Sequence, residues 1–127
     1  MLGNPLPAWD NPVQLSEELS MIDMLSKGRL VSGFVRGGGQ EQLAGGINPA
    51  FNRERFEEAH DLIVKSWTTP GPFRWEGTHY QQRVVNPWTV PLQKPHPRIW
   101  IPGVISKETI IWAAQHGYPY IALNTPV

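Results

Sequence analysis

The stretch Lys27-Gly28-Arg29-Leu30-Val31-Ser32-Gly33-Phe34-Val35-Arg36-Gly37-Gly38-Gly39 decides the fold. Gly28 is the residue type that tolerates the left-handed turn after a helix, so a helix ends here. Leu30 to Val35 then has the length and composition of a buried strand. The run closes on one Arg and three glycines. Arg supplies a forked, permanently charged donor, and glycines let backbone N–H groups approach an anion. Two readings are open at this point: an anion site at a strand end, or a flexible loop carrying a solvated Arg.

Upstream, the start of the preceding helix is well marked. Asn11 is a capping residue, Pro12 suits the first helical position, and Gln14 sits where a capping box needs it. Val13, Leu15, Leu19, Ile22 and Leu25 follow at roughly helical spacing and are read as its apolar face. Before it, Pro5 and Pro7 confine any strand in residues 1–10 to a stub. Downstream, residues 37–52 read as a glycine-rich connection, longer than the usual loop. Asn52 is read as the cap of a second helix, with Glu54 in its first turn and Phe56, Ala59, Leu62, Ile63 and Trp67 as its stripe.

Residues 73–85 (FRWEGTHYQQRVV) alternate in the manner of a hairpin with a turn at Glu76-Gly77. Four prolines make residues 86–97 an extended connector. Ile99-Trp100-Ile101 is a short buried strand. Ser106 caps a third helix, with Ile110, Ala113 and Ala114 read as inward and Ile111 and Trp112 as partly so. Gly117 stops it, and Tyr120 to Leu123 is a last strand. Strands alternating with helices predict an α/β fold with parallel pairing through crossovers. Three short parallel strands and three helices leave both sheet edges open.

Composition narrows the functional classes. The chain has 127 residues, no cysteine, and equal numbers of acidic and basic side chains, with a pI near 6.9. Gly and Pro together make about a fifth of it, below the low-complexity range of roughly 25–30%. Without cysteine there is no disulfide, thiolate metal site or thiol nucleophile. No basic patch suggests nucleic acid as partner. No apolar run is long enough to span a membrane, and the N-terminus lacks a signal-peptide pattern, so the expectation is a cytoplasmic protein. No repeat and no second domain are evident.

Two places carry the chemistry. Arg36-Gly37-Gly38-Gly39 follows one buried strand. Gly103-Val104-Ile105-Ser106-Lys107-Glu108-Thr109 follows another and opens a helix. In parallel α/β sheets and barrels the strand C-termini share one edge, and ligands bind there. Free N–H groups at the helix start, with the Ser106 and Thr109 hydroxyls, suit an anion. The spacing therefore suggests a phosphate held between Arg36 and the Ser106–Thr109 turn, with Ser106 acting only as a cap as the alternative. The four histidines lack metal-site spacing, and no metal is expected. His60 is read as lying on the solvated side of its helix, and His116 as complementing a helix C-terminus. Glu17-Glu18 reads as a solvated helix face.

Taken together these residues resemble the bacterial luciferase-like flavin-dependent monooxygenases. Asn11-Pro12-Val13, Glu17-Glu18 and Ile22-Asp23-Met24-Leu25-Ser26-Lys27-Gly28-Arg29-Leu30 are similar to that family's central signature. Gly33-Phe34-Val35-Arg36-Gly37 resembles its strand 4 and the loop after it. Arg53 with Phe56-Glu57-Glu58-Ala59 resembles the next helix, and Phe73, Glu76-Gly77 and Tyr80 its hairpin insertion. Gln93 to Ile101 resembles the run into strand 5, and Ala113-Ala114 with Gly117 the helix beyond. The similarity covers about residues 10–123. It implies a partial (β/α)8 barrel, about strands 3–6, so that residues 1–127 form a single incomplete barrel domain with a hairpin insert near 73–85.

The resemblance also implies reduced FMN as cosubstrate, supplied by a separate flavin reductase, with molecular oxygen and a small organic substrate; some relatives use the deazaflavin F420. By position, Arg36 with Gly37, and Ser106 with Thr109, match residues that hold the flavin phosphate. Many relatives have Gly-Gly or an acidic residue before the Ser, where this chain has Gly103-Val104-Ile105, a less open turn. The family's proton-handling histidine lies outside this stretch, so no catalytic residue is assigned. The alternatives to a flavin enzyme are a non-catalytic half-barrel module, pairing with another chain or as a homo-oligomer, and an inactive truncated product.

Overall fold

A computed structural model of the chain describes residues 1–104 and 106–123. Six strands and four helices follow one another as β1 (Leu2–Pro5), α1 (Pro12–Leu25), β2 (Val31–Val35), α2 (Gly39–Ala44), α3 (Asn52–Thr68), β3 (Phe73–Glu76), β4 (Gln81–Val85), β5 (Arg98–Gly103), α4 (Lys107–Gln115) and β6 (Tyr120–Ala122). Four strands make one sheet in the order β1-β2-β5-β6, with every neighbour parallel. β3 and β4 form a separate antiparallel hairpin.

The parallel sheet has one strand more than the sequence predicts. β1 is the expected stub. Its backbone pairs Leu2 with Ser32 and Pro5 with Val35, and its proline is tolerated because β1 is at the edge. Each parallel connection carries a helix, as parallel pairing requires.

Helix α1 begins as its sequence indicates. Asn11 Oδ1 accepts from the N–H groups of Val13 (3.1 Å) and Gln14 (3.4 Å). Gln14 does not complete a capping box; its amide donates instead to Glu18 one turn on. At the C-terminus Gly28 N–H reaches Asp23 O and Lys27 N–H reaches Met24 O, the paired bonds of a Schellman motif. Both Lys27 (φ 57°) and Gly28 (φ 77°) are left-handed, so the turn is shared by two residues rather than carried by the glycine alone.

The inner face of α1 also differs from the apolar pattern. Leu15 and Leu19 are buried, but so are Ser16, Ser20 and Asp23, whereas Ile22 and Leu25 are exposed. The serine hydroxyls donate to Val13 O and Ser16 O of their own helix, which removes the cost of burying them. Asp23 accepts from the backbone and side-chain N–H groups of Gln93, at 2.8 and 2.6 Å. That carboxylate ties the proline-rich connector to α1.

Helix α3 carries the core. Phe56, Ala59, Leu62, Ile63 and Trp67 are all buried as expected, against Phe34, Ile99 and Ile101 of the sheet. Each large side chain so buried contributes about 1.5–3 kcal/mol. Phe34 stacks on Trp67, whose indole N–H donates to Ser16 O across the interface with α1. Asn52 is the first residue of this helix and not its cap. A short 3-10 turn, Pro49–Phe51, precedes it, capped by Asn48. Together with α2, that turn replaces the long loop expected over residues 37–52.

Glu58 of α3 fastens the hairpin. Its carboxylate accepts from Trp75 Nε1 (3.1 Å), His79 N (2.8 Å) and Tyr80 N (3.0 Å). A Cβ at Gly77 would fall 1.6 Å from Glu58 Oε1, so the turn glycine is required by this carboxylate. On α4 the inward residues are Thr109, Trp112 and Ala113, while Ile110, Ile111 and Ala114 face outward.

Candidate functional site

Strands β2 and β5 are neighbours, with Gly33 opposite Trp100, so their C-terminal ends lie side by side. The segments that follow them converge on one cavity of about 410 Å³. Arg36, Gly37, Ser106 and Thr109, chosen from sequence as site residues, all line it. Val35, Pro102, Val104 and Leu123 add apolar wall, and Glu41 adds a carboxylate. That volume lies within the usual range for small-molecule sites, about 300–1,000 Å³.

The two sides of the cavity are built differently. On the β2 side, Gly37 takes φ 75°. An added Cβ there would lie 2.8 Å from Pro5 Cβ and 2.7 Å from Glu41 Oε2. The loop is held from behind by Gln42, which is fully buried and donates to Arg36 O at 2.9 Å. Among the described residues the Arg36 guanidinium enters no ion pair, so its charge is available to the cavity. The glycine backbone is less bare than its sequence suggests. Gly38 N–H donates to Glu41 Oε2 at 2.7 Å, which fills one of the N–H groups an anion would use.

On the β5 side, Ser106 is the cap of α4. Its Oγ accepts from Thr109 N at 3.4 Å, so capping, the alternative role considered for it, is observed. The hydroxyl proton of Ser106 is not consumed by that bond, because a hydroxyl both donates and accepts. Thr109 is nearly buried, and its Oγ1 accepts from Arg53 Nη1 at 3.2 Å. Arg53 Nη2 donates to Glu108 O, and Nε pairs with Glu57. The sequence reading gave Arg53 no site role; its partners on α4, Thr109 and Glu108, lie more than fifty residues away, beyond any local pattern. Glu41 and Gln42 were missed as well. Glu41 stands three residues after Gly38, a capping spacing the sequence does show.

The histidines lie apart from this arrangement. His60 is buried, not solvated: it sits between α3 and α4. Its Nε2 is 2.8 Å from the Tyr118 hydroxyl and its Nδ1 2.8 Å from Asp61 Oδ1. Burial, aided by the Asp61 charge, raises the Tyr118 pKa to about 12. The Asp61 carboxylate only accepts, so Nδ1–H is the donor to it, and the Tyr118 hydroxyl faces the other ring nitrogen. His60, Asp61 and His116 bring ligand-type atoms within 4.8 Å of one another, but both nitrogens of His60 are already engaged. His116 Nδ1 bonds Trp112 O. His79 meets Glu54, and His96 meets Pro97 O.

Comparison with known proteins agrees with this architecture. A family model described as luciferase-like monooxygenase matches residues 4–127. The oxygenase component of flavin-dependent trigonelline monooxygenase from Acinetobacter baylyi is 31% identical over 98 residues, 75% of this chain and 26% of that protein. The crystal structure of monooxygenase RslO1 from Streptomyces bottropensis superposes with a TM-score of 0.79 at 30% identity, over 90% of this chain and 35% of that one. The oxygenating constituent of 3,6-diketocamphane monooxygenase from Pseudomonas putida, solved with FMN, gives a TM-score of 0.80 at 18% identity, over 94% and 36%. An F420-dependent secondary alcohol dehydrogenase gives 0.65 at 16% identity, over 74% and 29%. The last two share the fold. The chain spans about a third of the length of these proteins or less. The α/β topology, the family match over almost the whole sequence and the relatives named for monooxygenation lead to one assignment: the chain belongs to the luciferase-like monooxygenase family and forms part of its (β/α)8 barrel.

Proposed function

We propose that this chain supplies the phosphate-binding side of a flavin-dependent monooxygenase, with reduced FMN as cosubstrate, molecular oxygen as oxidant and a small organic molecule as substrate. The observation that carries the proposal is the meeting of Arg36 and the start of α4 on one cavity, from two adjacent strand ends. A guanidinium in no ion pair among the described residues, and hydroxyl donors at a helix N-terminus, suit a phosphate. The apolar wall of Val35, Pro102 and Leu123 suits an aromatic ring system. Among the described residues that line the cavity, Glu41 is the one that opposes an anion.

In this reading Arg36 neutralises the phosphate, Ser106 and Thr109 donate to it, and Gly37 lets the loop pass close to Pro5. Reduced FMN, when bound, supplies the electrons with which oxygen is activated. The relative named as an oxygenase component favours a flavin reduced elsewhere, by a separate reductase. The FMN complex among the structural neighbours favours FMN, and the F420-dependent one keeps the deazaflavin as the second reading. The alternative to an active enzyme is a non-catalytic part-barrel that pairs with another chain.

The test is titration of the purified chain with FMN, anaerobically reduced FMN and F420, followed by flavin fluorescence, for the wild type and Arg36→Ala. The expected result is FMN binding that weakens at least about tenfold in Arg36→Ala, the scale of one charge-assisted contact. Failure of all three cofactors to bind at high micromolar levels, or binding indifferent to Arg36, overturns the proposal.

A further inference from the structure

Resting on that phosphate reading, we infer that Arg53 is a positioning residue that turns Thr109 into a phosphate donor. Arg53 stands at the start of α3, and its fork spans to the first turn of α4. Nη1 donates to Thr109 Oγ1 at 3.2 Å and Nη2 to Glu108 O at 3.1 Å, while Nε is held by Glu57 Oε1 at 2.6 Å. A threonine hydroxyl has one proton and two lone pairs. Donation from Arg53 occupies the oxygen from the helix side. The Thr109 proton is thereby left for an acceptor in the cavity that Thr109 lines.

The charges divide the work. Arg53 is paired with Glu57, whereas Arg36 enters no described ion pair. Arg36 therefore supplies net charge, and Arg53 supplies orientation. Lysine cannot replace Arg53, because an ammonium offers no planar fork to hold Thr109, Glu108 and Glu57 together.

Riboflavin differs from FMN only by the phosphate, so the ratio of their dissociation constants isolates the phosphate contact. The experiment measures that ratio for the wild type, Arg53→Ala, Arg53→Lys, Thr109→Val, the Arg53→Ala/Thr109→Val double variant and Arg36→Ala. The preference for FMN is expected to fall about tenfold in Arg53→Ala, Arg53→Lys and Thr109→Val. The double variant should fall no further than Thr109→Val alone, because the two residues act as one unit. Equal weakening of FMN and riboflavin in the Arg53 variants, or an additive double variant, makes Arg53 a mere brace and overturns the inference. Should Arg53→Ala not fold, Arg53→Lys carries the same comparison. An unchanged ratio in Arg36→Ala instead defeats the phosphate reading itself, and the inference with it.

Discussion

Substitution of Gly37 and Gly38 by alanine separates two glycines that look alike in sequence. Gly37 has φ 75°, a conformation that costs an L-residue roughly 1–2 kcal/mol. Its added Cβ would lie 2.8 Å from Pro5 Cβ and 2.7 Å from Glu41 Oε2. Glu41 can swing away, at the loss of its bond to Gly38 N–H. Pro5 cannot, since it is fixed in the β1–β2 pairing; forcing extra volume into such a contact typically costs about 1–3 kcal/mol. Gly37→Ala should therefore lose about 2–5 kcal/mol, a large part of the roughly 5–15 kcal/mol that holds a domain together. Gly38 has φ −83°, and its added Cβ meets nothing closer than 3.9 Å. Gly38→Ala should be neutral to within about 1 kcal/mol, because the restriction of the unfolded chain offsets the poorer cap that alanine makes for α2. Urea denaturation followed by tryptophan fluorescence measures both. A Gly37→Ala variant as stable as the wild type, or a Gly38→Ala variant equally damaged, would refute this account of the loop.

The hairpin and the buried phenols give two further expectations. Glu58→Ala strands three donors, Trp75 Nε1, His79 N and Tyr80 N, and should cost about 3 kcal/mol or more, with Glu58→Gln costing about half because one acceptor oxygen remains; equal losses in urea denaturation would sink this assignment. Burial raises the pKa of both Tyr80 and Tyr118 from 10.0 to about 12. The folded state thus favours the protonated phenol, so their contribution is complete below pH 10 and is lost as the pH rises from about 10 to 12. Thermal melts across that range should fall steeply, and less so in Tyr118→Phe; a melting temperature flat to pH 12 contradicts it.

Local signals made much of this chain legible. Asn11-Pro12 set the start of α1, the Phe56-to-Trp67 stripe set the inner face of α3, and the apolar run before Arg36 set β2. Alternation of strands and helices then implied parallel pairing, and parallel pairing implied that the segments after β2 and β5 meet. The meeting of Arg36, Gly37, Ser106 and Thr109 on one cavity followed from that step. What stayed hidden was decided by partners far along the chain. Asp23 is buried because Gln93, seventy residues on, satisfies it. His60 is buried because Tyr118, fifty-eight residues on, meets its ring. β1 exists because β2 offers it an edge, against the local discouragement of its prolines. The outward Ile22 and Leu25 mislead for a related reason: Ser16 and Ser20 bond their own helix, so polar residues hold the inner face at little cost.

The same contrast explains why a chain about a third as long as its relatives still brings Arg36, Ser106 and Thr109 to one cavity. The proposed phosphate grip needs two neighbouring strand ends and the first turn of one helix. β2, β5 and α4 provide these, although more than sixty residues separate β2 from β5. What makes them neighbours is the packing of α1 and α3 on one sheet face, fixed by Phe34, Trp67 and Ile101, and none of those residues lines the cavity. The fold and the grip are thus separable in their residues but not in their geometry. A core substitution such as Phe34→Ala should abolish both together, whereas Arg36→Ala should remove the grip and leave the urea midpoint where it was.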